Sequence, residues 1–140
     1  MKLRLYREAD EEAVVGLWNT VFPDPTEWNA PRFIAAKKLA TQRDLFFVAV
    51  AVGTVVGTAM GGLDGHQGRL YAVAVRPDSR RRRIGSGLVR RVEAALVSLG
   101  CPKLNLQLHP SNAHVVAFYE RLGYSIEGGG SMGKRLPAAP

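Results

Sequence analysis

The sequence predicts a mixed α/β fold in a single domain spanning residues 1–140. Three observations predict it. Short apolar or alternating runs are interleaved with segments whose apolar residues recur every three to four positions, the periods of strand and helix. Glycine and proline punctuate the junctions between them. One strand-like run, residues 70–75, passes through a cationic, glycine-bearing turn into an amphipathic helix. The elements read β-α-α-β-β-β-α-β-α-β-β, which sets helices against a mixed sheet.

Residues 2–6 alternate polar and apolar and open the chain as a strand. Asp10 is placed to cap a helix with Glu11 and Glu12 in its first turn and Val14, Leu17, Trp18 and Val21 on its apolar face. Pro23 and Pro25 end that helix, and a second begins near residues 29–31, carrying Phe33, Ile34 and Lys37. Residues 45–52 and 55–60 pair as a hairpin turning at Gly53-Thr54. A glycine-rich loop, residues 61–68, leads into the strand at 69–75. The helix at 87–99 presents Leu88, Val92, Ala95, Leu96 and Leu99, and Gly100 and Pro102 stop it. Leu104, Leu106 and Leu108 alternate as a strand, Asn112 caps a helix to Leu122, and Gly123 ends it. Residues 124–127 and 131–136 are expected to close as a hairpin across three glycines.

A 140-residue chain can bury about two-thirds of its unfolded surface, enough for a core. No apolar run approaches the ~20 residues of a membrane-spanning helix, and no membrane partner is expected. Cys101 is the single cysteine, so no internal disulfide can form and a reducing cytoplasmic setting is expected. Its place beside Pro102 suits packing better than nucleophilic attack. The net charge of +7 would suit a phosphorylated ligand, a membrane or nucleic acid. Its distribution favours the first, because Arg76 and Arg80 to Arg83 fall on one loop, with Arg90 and Arg91 just beyond. No aromatic platform or reading helix accompanies them, so no nucleic acid is expected.

The turn reads Arg80-Arg-Arg-Arg-Ile-Gly-Ser-Gly87. Exposed amides at a helix start favour anions, and arginines and close-approaching glycines add to that preference. A dinucleotide-binding reading would need Gly-x-Gly-x-x-Gly, and a P-loop would need Gly-Lys-Ser/Thr; neither is present here. What remains is Arg-x-x-Gly-x-Gly over Arg82, Gly85 and Gly87.

A second segment is Asn112-Ala-His-Val-Val-Ala-Phe-Tyr-Glu-Arg-Leu-Gly-Tyr124. In this order and spacing the two motifs resemble the GCN5-related N-acetyltransferase (GNAT) superfamily. Residues 56–62, 64–66, 100–103 and 133–136 resemble its small bacterial YpeA-like branch. The resemblance implies a GNAT fold, with a mixed central sheet of about six to seven strands flanked by four helices. It also implies an acetyl-CoA-dependent N-acetyltransferase, with direct attack by a primary amine and no metal. The acceptor would be a small molecule or a protein N-terminus or lysine, and a homodimer is common in proteins of this kind. The alternative is a catalytically silent acyl-CoA-binding regulatory domain.

Carried onto this chain, the resemblance implies that Arg82, Arg83, Ile84, Gly85, Ser86 and Gly87 hold the pyrophosphate, with Arg80 and Arg81 nearby. Backbone groups of Val73, Ala74 and Val75 would meet the pantetheine arm, on a strand that splays from its neighbour. Asn112 would contact the cosubstrate, and Tyr119 would stand near its sulfur as the catalytic acid. The chain departs from the family at Arg81 and Arg83, where many members have glycine, and at Gln107, where N-terminal acetyltransferases often carry a glutamate base. Base candidates by location are Glu27, Asp64, His66 and His109. Deprotonating a lysine-type amine at pH 7 costs roughly 4.6 kcal/mol and an α-amine only ~1.4, so a low-pKa amine needs less help. Trp18, Phe22, Asp24, Trp28 and Tyr124 fall in the segments expected to form the acceptor pocket, and Asp24 and Glu27 would suit a cationic acceptor.

Overall fold

In the computed structural model, residues 1–22 and 30–137 are described. They form two compact units, Met1–Gln107 and Leu108–Pro140.

The first unit is built on a five-stranded sheet in the order β1-β2-β3-β4-β5. β1 is Lys2–Leu5, β2 Phe46–Ala51, β3 Thr54–Leu63, β4 Gly68–Val75 and β5 Leu104–Asn105. The first four pair antiparallel in succession, and β5 joins β4 in parallel. Helices α1 (Glu11–Val21) and α2 (Pro31–Thr41) cover one face, and α3 (Ile84–Ser98) covers the other.

Period two along the strands sorts their side chains between these layers. On the α1 side, Tyr6 stacks on Phe46 at 4.1 Å between ring centroids, and Phe46 lies 5.7 Å from Trp18. Val14, Leu17, Val48, Met60 and Ala74 complete that core. On the α3 side, a Cβ at Gly57 would come within 2.9 Å of Leu88 Cδ1 and 3.2 Å of Ile84 Cγ2. One at Gly61 would come within 2.7 Å of Val92 Cγ1. Those two glycines let α3 settle directly onto β3. Its buried residues are Ile84, Leu88, Val89, Val92 and Leu96, while Leu99 is exposed.

Several expectations shift. The β2–β3 turn is centred on Val52 and Gly53, both at positive φ (50° and 72°), one residue earlier than expected. Asp10 precedes α1 without capping it through its side chain. Its carboxylate instead takes both Arg4 guanidinium nitrogens at 2.8 and 2.9 Å and the Arg7 amide at 3.0 Å. Burial would raise the Asp10 carboxyl, but the Arg4 and Arg7 hydrogen bonds outweigh it and hold the group below its ordinary value. α2 turns Ala35 and Lys38 inward and leaves Phe33 exposed, so Lys37 is not on the buried face.

The second unit holds α4, Ala113–Arg121. Asn112 Oδ1 accepts the Val115 amide at 3.3 Å, as expected of a cap, and Gly123 follows the helix at φ 96°. The expected closing hairpin is absent: residues 125–137 carry no strand and are exposed. Three consecutive glycines supply no side chains to bury and lose the most backbone entropy on ordering. With β5 reduced to two residues, the described sheet has five strands where six to seven were expected; of the four α-helices in the described residues, α1 to α3 belong to its unit and α4 to the second.

Candidate active site

Two features of the first unit converge on β4. The first is a bulge. Thr58 pairs with Ala74 and Met60 with Tyr71, so Ala72 and Val73 together oppose Ala59, and Ala72 takes φ 50°. Thr58 Oγ1 donates to the Ala72 carbonyl at 2.9 Å and accepts the Trp18 indole N–H at 2.8 Å. Trp18, only 1% exposed, is a core residue here and not a pocket wall. The second feature is the short β4–β5 ladder, which pairs Gly68 with Leu104 and Arg69 with Asn105 and then stops. The β4 backbone at Val73, Ala74 and Val75 therefore runs on without a β5 partner.

β4 leads into the arginine turn. Arg80, Arg81, Arg82 and Arg83 are all exposed. Arg81 and Arg83 lie in the left-handed region, at φ 67° and 61°. Glycine, which the resemblance sets at both positions, is the residue that adopts this backbone freely. Arg83 occupies the N-cap position of α3, and no side chain caps the helix. Its carbonyl accepts the Gly87 amide at 3.1 Å and the Ser86 hydroxyl at 3.1 Å. The amides of Ile84, Gly85 and Ser86 have no acceptor within the helix, because the first turn never provides one. Ile84 is buried and pins the turn to the sheet, so these amides are held on a fixed frame. Nearby, Arg76 pairs with Asp78 at 2.7 Å. Arg91 lies over the Phe47 ring at 5.3 Å.

At the other end of β4 is an open cavity of about 490 Å³. Gln42, Gly62, Asp64, Arg69, Tyr71 and Gln107 are among its walls. Arg69 donates to Gln107 Oε1 at 3.1 Å and lies 5.8 Å from the Tyr71 ring centroid. Beneath, the nearly fully buried Lys38 donates to the Gly61 carbonyl and to Gln42 Oε1, with its Nζ 5.1 Å from the Tyr71 ring. Burial pushes its ammonium down to about 8. Sequence reasoning missed Lys38. The helical spacing from Ala35 pointed to it, but a charged residue in an apolar stripe reads as solvent-facing.

The base candidates divide. Glu27 lies outside the described residues, as do Asp24 and Trp28. Asp64 lines the cavity, but its Oδ1 is occupied by the amides of His66 and Gln67, both at 2.8 Å. Those backbone bonds, Gln67's first, hold its carboxyl below its ordinary value. His66 is exposed in the same loop, and Phe22 is exposed at the end of α1. His109 Nδ1 meets the Ser111 hydroxyl at 2.6 Å in the second unit.

Asn112 and Tyr119 also belong to the second unit, so they are described apart from β4 and the arginine turn. Tyr119 makes edge-on contacts with Phe118 at 4.9 Å and Tyr124 at 5.6 Å. Burial raises its phenol to about 12, so it holds its proton at neutral pH. Cys101 is half-buried; its Sγ donates to the Lys103 carbonyl at 3.2 Å and would sit 2.9 Å from a Cβ at Gly68.

Comparison with known proteins points the same way. The model of the Acetyltransferase (GNAT) family matches residues 4–124. An acetyltransferase of Pectobacterium atrosepticum is 40% identical over 139 residues, covering 97% of this chain and 96% of its own. In fold, a putative acetyltransferase from Agrobacterium tumefaciens matches with a TM-score of 0.80 at 24% identity, over 96% of this chain and 100% of that one. The AAC(6')-Iy protein in complex with a bisubstrate analogue, CoA-S-monomethyl-acetylneamine, matches with a TM-score of 0.76 at 21% identity, over 96% and 98%.

Proposed function

Because the chain belongs to the GNAT family, whose members are acyltransferases, we propose that it transfers acetyl from acetyl-coenzyme A to a primary amine. The observation carrying this reading is the strand–turn–helix unit of the first unit. A β4 edge that β5 leaves past Arg69, with the Val75 carbonyl taking the Arg80 Nε at 3.4 Å, leads into an arginine turn and the uncapped first turn of α3. These residues fit the donor. The amides of Ile84, Gly85 and Ser86 and the side chains of Arg80 to Arg83 receive its pyrophosphate, Gly87 leaves room for its close approach, and Val73, Ala74 and Val75 pair with its pantetheine amides. The donor supplies an activated thioester. The acceptor nitrogen attacks the carbonyl carbon directly as the free amine, the C–S bond breaks as Tyr119 gives its phenolic proton to the departing thiolate, and the proton shed by the new amide nitrogen returns through water to the phenolate. Asn112 contacts the donor, and a single transferase domain spans residues 1–140.

One observation favours a second reading, a silent acyl-CoA-binding domain. Gln107, an amide that cannot accept a proton at neutral pH, stands on the cavity wall where relatives often carry a base. Calorimetric titration with acetyl-CoA, followed by thiol release with a panel of amines, separates the two. Binding with turnover supports the transferase. Binding without turnover supports the silent domain, and absence of binding rejects both.

A further inference from the structure

Resting on that transferase reading, we propose that the acceptor amine carries a negatively charged group, carboxylate or phosphate, and that Arg69 receives it in the cavity at the start of β4. The charge inventory of the cavity carries the inference. Arg69 and Asp64 are the charged side chains on its wall. They are not equivalent. Asp64 uses Oδ1 to tie its own loop, bonding the amides of His66 and Gln67. Arg69 instead lies along the Tyr71 ring and donates to Gln107, a neutral amide, and makes no ion pair among the described residues. A glutamate at 107 would have neutralised it; glutamine leaves its charge uncompensated.

Lys38 adds to the same sign. Its ammonium lies 5.1 Å from the Tyr71 ring centroid, hydrogen-bonded to neutral oxygens of Gly61 and Gln42. An anion entering here would gain from Arg69 and Lys38, while the one carboxylate on the wall, Asp64, is turned by its Oδ1 to the amides of its own loop. Arginine also matches both candidate anions in shape, since its fork donates in parallel to carboxylate or phosphate oxygens. Placement agrees as well. Arg69 precedes the bulge at Ala72 by three residues on the same strand.

The test is thiol release with matched amine pairs: O-phosphoethanolamine against ethanolamine, and γ-aminobutyrate against its amide. Wild-type protein should prefer the anionic member by at least tenfold in kcat/KM, with the phosphate and carboxylate pairs showing which anion is favoured. Arg69→Gln should collapse that ratio, chiefly through KM, and Arg69→Lys should recover part of it. Equal use of the neutral member overturns the proposal and leaves the transferase reading standing. If no amine releases thiol, the transferase reading falls, and direct calorimetric binding of O-phosphoethanolamine decides the rest. Saturable binding lost in Arg69→Gln upholds the anion site; no such binding overturns it.

Discussion

The indole N–H of Trp18 donates to the hydroxyl of Thr58 at 2.8 Å, forty residues away in sequence, and Thr58 passes the link to the Ala72 carbonyl at 2.9 Å. A buried helix residue thereby holds the β4 bulge in place. Thr58→Val keeps the shape and removes the hydroxyl, stranding one buried donor and weakening one buried acceptor. Stability should fall by about 2–3 kcal/mol. Thr58→Ser should retain most of it. Urea unfolding of both variants checks this; an unaffected valine variant would show that the relay contributes nothing.

Arg83 combines an unfavourable backbone with a useful charge. Left-handed geometry penalises any residue with a Cβ by about 1–2 kcal/mol, a penalty that glycine escapes. Arg83→Gly should therefore be more stable than Arg83→Ala by about 1 kcal/mol, the reverse of their order in an ordinary helix. Both variants should weaken acetyl-CoA binding similarly, and more at low salt than at high salt. Thermal melts and calorimetry read the two effects separately.

Lys38 makes a pH signature. Its folded value, about 8, lies below the unfolded value near 10.5. The unfolded chain therefore binds more protons between those values, and stability rises with pH across that interval. Tyr71 and Tyr119, both raised by burial, begin to oppose the rise as unfolded tyrosines ionise near pH 10. The clean window is pH 8 to about 9.5. Denaturant midpoints should climb there in the wild type and stay flat in Lys38→Met. A flat wild-type profile would remove the strained ammonium.

Tyr119 is expected to act as an acid, and its raised phenol keeps the proton available throughout the neutral range. Tyr119→Phe should lower kcat by ten- to a thousandfold with little change in acetyl-CoA affinity. An unchanged kcat would assign Tyr119 to packing against Phe118 and Tyr124 alone.

Local signals in the chain located most of the first unit. The run at 69–75, the arginine–glycine turn and the helix after it are contiguous, so period and punctuation suffice to find them. The left-handed backbone of Arg81 and Arg83 was not foretold, because arginine carries no local signal for positive φ. The C-terminal hairpin misled, because alternating short runs around Gly128, Gly129 and Gly130 satisfy a strand pattern without offering enough side chain to bury. Lys38 misled in the opposite sense. Its burial depends on the Gly61 carbonyl and Gln42, and no pattern along α2 foretells an acceptor supplied by β3.

The sequence by itself determined the α/β class, the family and the place of the arginine–glycine turn between strand and helix, since each is written in residues adjacent along the chain. Tertiary structure alone decided that Trp18 supports the bulge, that β5 parts from β4 after Arg69, and that Arg69 meets the neutral Gln107 above a buried lysine. Those outcomes depend on pairings between residues twenty to forty positions apart. Hydrogen-bond geometry and burial set such pairings, and neither has a period that a linear reading can detect.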